Sequence, residues 1–277
     1  MKKVYQLSLL IIFILFVSIN AIAQSLRTTI SMPYIGLGAY TTKQLDPFSF
    51  TSNQAALAQL KTGGIGIFGE RRFLLAENSN YGIAAAFKTN HAGNFGLQIN
   101  YAGFANFNEQ KVGLAYARSL GSKVDIGIQF NYYGYKIPAY NNASTLNFEI
   151  GAILHISEKL NAGIHVYNPV SNKIDKAGEE KLASVYKVGL GYDASDNFYF
   201  STEIIKEENL PLNVNGGVQY HFNKQFFARA GFRSDNNTGY AGAGFLYKNL
   251  RIDIATSIHP QLGISPGLLL IYNFKNL

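Results

Sequence analysis

Glu149, His155 and His165 bring one carboxylate and two imidazoles into a short stretch of the chain. Such groups do general acid–base work, or hold a metal through ring nitrogens and carboxylate oxygens. Two histidines without a third ligand at a defined spacing make an incomplete metal set. A wet interior that tolerates His accounts for them more simply, so no metal or other cofactor is expected. A hydrolase needs Ser, His and an acid gathered in space, and nothing singles out one serine here. The chain has no cysteine, which excludes disulfides, thiolate metal sites and Cys nucleophiles. Lys88, Lys111, Asp125, Lys187, Glu203, Arg229, Arg233 and Asp253 share the polar side of their segments with Glu149. Ion-selective pores tend to use one dominant sign; this mixture fits an interior that pairs with itself. No enzymatic activity is expected.

The elements that position these groups are strands. In Val124–Tyr132, Val124, Ile126, Ile128, Phe130 and Tyr132 alternate with Asp125, Gly127, Gln129 and Asn131. Period 2 with one apolar and one polar face is a β-strand between two different environments. Leu146, Phe148, Ile150 and Leu154 oppose Asn147, Glu149, Gly151 and His155 in the same way. Marking every such run gives about fourteen strands, starting near residues 63–74, passing through 124–137 and ending near 265–274. Most are long enough to cross a bilayer, which takes about 9–11 residues, whereas strands of soluble sandwiches average about five or six. Only 15% of the residues are charged, and the polar face is mostly Gly, Asn, Gln and Ser. The expected fold is all-β: a transmembrane antiparallel barrel.

Residues 1–23 read as a secretory signal. Lys2 and Lys3 precede an apolar run from Tyr5 to Val17, and Ala21-Ile22-Ala23 supplies the small residues of a cleavage site. A retained membrane helix is the competing reading and fits the cleavage site less well. The net charge of +7 falls by two on cleavage, and no block of like charge suggests nucleic-acid binding.

Residues 63–277 form the barrel region, while residues 24–62 do not alternate. The latter are polar, then Ala-rich, with Asn53 placed to cap a short helix through Leu60. The segment is expected to fill the barrel mouth as a plug, with Asp46 held by backbone amides or by a lumenal base such as Arg229. Gly66, Gly82, Gly113, Gly127, Gly151, Gly163, Gly189, Gly217 and Gly231 all lie on the inward side. Either something approaches the wall closely there, or glycine relieves curvature in a narrow barrel. Connections are expected to alternate between short periplasmic turns, such as Ser157–Lys159, and longer outer loops, such as Asn168–Lys181.

Gly36-Leu37-Gly38-Ala39-Tyr40, Asp46-Pro47-Phe48-Ser49-Phe50 and Asn53-Gln54-Ala55-Ala56-Leu57-Ala58 carry a resemblance. Followed by a long barrel region, they resemble the FadL-type outer-membrane family, and most closely its PorV/PorQ-like branch, associated with type IX secretion in Bacteroidetes. Gln54 stands where that motif has Pro, and Asp46 stands without a second acid. The resemblance implies a fourteen-stranded barrel with an N-terminal hatch in which Gly36, Gly38, Asp46, Asn53 and Ala55 are motif positions.

The expected location is the outer membrane, among lipid and lipopolysaccharide. One expected role is assisting type IX secretion or surface attachment, with secretion components or secreted proteins as partners. The alternative is a FadL-like channel for small hydrophobic molecules, and a purely structural anchor is a third.

Overall fold

The computed structural model describes residues 37–89, 92–138, 141–174 and 181–274. The signal segment and Gly36 lie outside the described residues.

Fourteen strands follow one another up and down. They are β1 (Gly64–Arg71), β2 (Ser79–Phe87), β3 (Asn94–Phe104), β4 (Phe107–Leu120), β5 (Val124–Ile137), β6 (Asn141–His155) and β7 (Leu160–Tyr167). The second half is β8 (Val185–Asp193), β9 (Phe198–Glu207), β10 (Asn213–His221), β11 (Phe226–Arg233), β12 (Thr238–Tyr247), β13 (Leu250–His259) and β14 (Gly263–Asn273). β1 pairs antiparallel with both β2 and β14, so the sheet closes and has no edge. Closure satisfies every ladder position internally, the condition for crossing hydrocarbon.

The alternation sorts the two faces. Leu114 and Phe130 are 63% exposed and Leu146 is 70% exposed on the outside, whereas Gln129, Asn131 and Glu149 are buried inside. An apolar exterior around a polar interior inverts a water-soluble protein, and lipid is the solvent that stabilises it. The chain is an outer-membrane-type β-barrel.

β5 spans the run that the alternation marks. β6 starts four residues before the expected 145, because Ile137 pairs with Asn141 in a hairpin whose outward Asn142 and Ser144 carry no apolar signal. β8 starts at Val185 and not at 182, because Leu182 turns into the barrel mouth.

One barrel end carries tight turns after β4, β6, β8, β10 and β12. At the other end, the link between β3 and β4 is equally short, so the length asymmetry rests mainly on residues 72–78 and 168–184. Inside, Leu37, Phe48, Phe50, Leu57 and Leu60 pack with wall residues Phe68, Ala84, Ala115, Leu269 and Ile271.

Candidate functional site: the filled lumen

Residues 37–62 enter at the tight-turn end and run along the inner wall as three short 3-10 helices, Gly38–Tyr40, Ser49–Thr51 and Gln54–Gln59. Local side chains fix the approach to the second and third. Asp46 Oδ1 accepts the Phe48 amide at 2.8 Å, and Asn53 Oδ1 accepts the Ala55 amide at 3.1 Å, supplying acceptors to otherwise orphaned N–H groups. Asn53 Nδ2 also donates to the wall carbonyl of Ile164 at 3.0 Å, so the cap fastens the helix to the barrel. Ala55 is fully buried with Ala39, Ala56 and Ile153, and Gly38 lies against Ser49.

The inward glycines face close neighbours, which differ from position to position. A Cβ at Gly127 would sit 2.4 Å from the Gln54 carbonyl carbon, and one at Gly189 would sit 2.1 Å from Tyr40 Cζ. Gly66, Gly151, Gly163 and Gly217 likewise face residues of the N-terminal segment. Gly82, Gly113 and Gly231 instead make room for the wall side chains Phe68, Gln129 and Tyr240.

Tyr40 lies in a slot of Gly163, Gly189 and Gly191, and its hydroxyl donates to Glu203 at 3.3 Å. Burial, reinforced by the Glu203 charge, pushes the phenol well above its ordinary pKa, so it stays a donor. Thr41 Oγ1 donates to Asp193 at 2.5 Å, and Gln44 Oε1 accepts from Gln219 at 2.8 Å. Asp46 pairs with Arg251 at 3.0 Å. Arg229, the base named from the sequence, pairs with Asp253, which Arg251 also reaches. Asp46 therefore joins a chain of alternating charge, but through a different arginine.

Glu149 is the polar hub. Its Oε1 accepts from Lys111 at 2.5 Å, Asn131 at 2.9 Å and Gln129 at 3.2 Å, while Oε2 accepts from Gln54 at 2.7 Å and meets His165 Nε2 at 3.0 Å. An ionised carboxylate offers about four lone-pair directions, so these donors leave none for a metal or a substrate proton. His155 belongs elsewhere: its Nε2 meets Asp125 and its Nδ1 meets Asn161, each at 2.7 Å. The sequence places both histidines on one face, and the register separates them. His165 opposes Gly151, four residues along β6 from His155, or roughly 14 Å.

The polar parity puts Lys111 on the side of Glu149 but does not pair the two, and the contacts of Tyr40, Thr41 and Gln54 with the wall are not foreseen from the sequence. Gln54 does carry a signal, as a polar side chain at the position where the resembling motif has Pro.

At the opposite mouth, Ile174 and Leu182 bury themselves against Tyr133, Tyr167 and Val185. Among the described residues, one small cavity beside the N-terminal segment touches Leu37, Tyr199, Arg229 and Tyr240, and another touches Tyr40, Leu45, His155 and Asn161. Each has a volume of about 10 Å³, room for about one water and far below a small-molecule site. Residues 37–62 are thus fastened to the inner wall by hydrogen bonds and ion pairs at several heights.

The closed, fourteen-stranded antiparallel barrel is of the FadL type. The structure is similar to that of a Pseudomonas aeruginosa FadL homologue, with a TM-score of 0.64, 10% identity, and coverage of 90% of this chain and 98% of that one. It is also similar to the Pseudomonas putida toluene transporter TodX, with a TM-score of 0.61, 10% identity, and coverage of 84% and 95%. The Ralstonia pickettii toluene transporter TbuX gives 0.60, 11% identity, and coverage of 83% and 94%. At such identities the likeness establishes the fold. No family model matches the sequence. No curated protein matches it either.

Proposed function

We propose that this protein is a non-enzymatic conduit of the outer membrane for small hydrophobic molecules, with residues 37–62 as its plug. The observation that carries the reading is the seating of Leu37, Phe48, Phe50 and Leu57 within the lumen. Displacing an apolar stopper exposes apolar wall residues such as Phe68, Leu269 and Ile271 to whatever enters. The transport of toluene by two proteins of the same fold supports this substrate class. Removal of a cleaved signal after Ala23 would deliver the chain to that membrane.

The test is uptake. The mature chain, reconstituted in vesicles, is expected to carry toluene faster than vesicles without protein. Deleting residues 36–60 should leave an assembled barrel that also leaks small hydrophilic solutes. A second reading, assistance to type IX secretion or surface attachment, rests on the resemblance of Gly36–Ala58 to the PorV/PorQ-like motif. Under it, the same deletion leaves permeability unchanged and abolishes association with secretion components or secreted proteins.

A further inference from the structure

The charge of the two barrel ends differs in kind. At the tight-turn end, Lys123, Lys159, Lys224 and Lys248 occupy turns and are exposed. Arg118 stands on the outward face of β4, and Lys61 and Lys88 flank the ends of β1 and β2. Among the described residues, the exposed acids of this rim are Glu158 and Asp196, and Asp196 is paired with Lys43. At the opposite end, Arg71, Lys136, Lys173, Lys181 and Lys206 are mixed with Glu77, Glu208 and Asp235.

The basic residues share one position relative to the wall. Phe87 precedes Lys88, Leu120 precedes Lys123, Ile156 precedes Lys159, Phe222 precedes Lys224 and Tyr247 precedes Lys248. Each of these five strands ends at, or within one residue of, an exposed apolar side chain, and a cation follows that side chain within three residues. Lys248 Nζ lies over the Tyr247 ring, 5.3 Å from its centroid, so the cation sits against the aromatic face at the rim. The same rim holds outward ring pairs, Phe95–Tyr116, Tyr220–Phe222, Phe226–Phe245 and Tyr272–Phe274. Aromatic girdles mark the depth of the membrane–water boundary.

We infer that this rim is a basic collar that binds the phosphates of anionic phospholipids in the adjoining leaflet. The cations follow the circumference through β2, β4, β6, β10 and β12. A protein partner meets one arc of such a ring, whereas headgroups meet all of it. Their height just past the apolar belt is the height of lipid phosphate, where each Lys or Arg favours an anionic headgroup about fivefold. This inference goes beyond the transport reading and stands if that reading fails.

The test uses the mature chain in phosphatidylcholine vesicles, with spin-labelled phosphatidylglycerol or phosphatidylcholine as the probe. Phosphatidylglycerol should associate with the barrel several-fold more strongly, and added salt should weaken that preference. The variant K123Q/K159Q/K224Q/K248Q should lose most of it. The variant K136Q/K173Q/K181Q/K206Q, at the other end, should keep it. Equal association of the two lipids with the unmodified protein would overturn the inference and leave the collar to an acidic protein partner. Equal loss in both variants would also overturn it, since net charge would then be the cause. If the first variant fails to fold, the salt dependence of the unmodified protein decides: a preference untouched by salt overturns the inference.

Discussion

Gly189→Ala should release the N-terminal segment while leaving the barrel closed. The added methyl would stand 2.1 Å from Tyr40 Cζ and 2.4 Å from Cε2, distances no real contact permits. Gly189 is held by ladders to both neighbours, pairing with Gly163 on β7 and Glu203 on β9, so the ring must move and not the wall. Tyr40 is 1% exposed. An aromatic side chain buries roughly 150–250 Å², which at about 25 cal/mol per Å² is worth at most about 4–6 kcal/mol. Truncating such residues costs about 3–5 kcal/mol, the range expected here. Hydrogen exchange at the amides of Ala55, Ala56 and Leu60, bonded to Asn53 and Leu57, reports release of the segment. That cost predicts exchange faster by roughly two to four powers of ten, with the strand amides unchanged. Tyr40→Ala should give a similar acceleration, and the double variant should add little, because both remove one contact. Unchanged exchange in Gly189→Ala, or full additivity in the double variant, would refute the reasoning.

Other perturbations separate the faces and the fastenings. Phe130→Arg puts a charge on the lipid side and should cost about 2–4 kcal/mol in unfolding from vesicles, near the membrane midplane. Gln129→Arg is expected to be damaging too, because Gln129 is fully buried against Glu149 and Asn131, which overrides the mildness a wet lumen would allow. Glu149→Ala leaves Lys111 and His165 buried without their carboxylate and should destabilise the barrel by about 3–5 kcal/mol in the same assay. Gln54→Pro should fold, since proline suits the first helical position, yet it deletes the bond to Glu149 and should raise exchange at Ala55.

The barrel was legible because period 2 is a local signal that lipid on one side and packed polar groups on the other write into every strand. Asn53 was legible as a cap for the same reason, since its bond to Ala55 spans two residues. The pairing of Asp46 with Arg251 spans most of the chain and depends on how deep the segment sits, which no local pattern encodes. His155 and His165 show the limit of parity. A shared face fixes which side a residue points to, but register fixes its height, and height sends one imidazole to Asp125 and the other to Glu149. Diagonal cross-strand contacts of this kind follow only once the pairing is known.

The plug claim is tested most directly by fastening the segment in place. The chain has no cysteine, so Thr41→Cys with Asp193→Cys introduces a single reactive pair where the two side chains already touch. The pair is oxidised, or bridged with a short bifunctional reagent, and toluene flux into vesicles is measured before and after reduction. The account predicts low flux when the segment is tethered and recovery when a disulfide tether is reduced. Equal toluene flux in the tethered and released protein would contradict it.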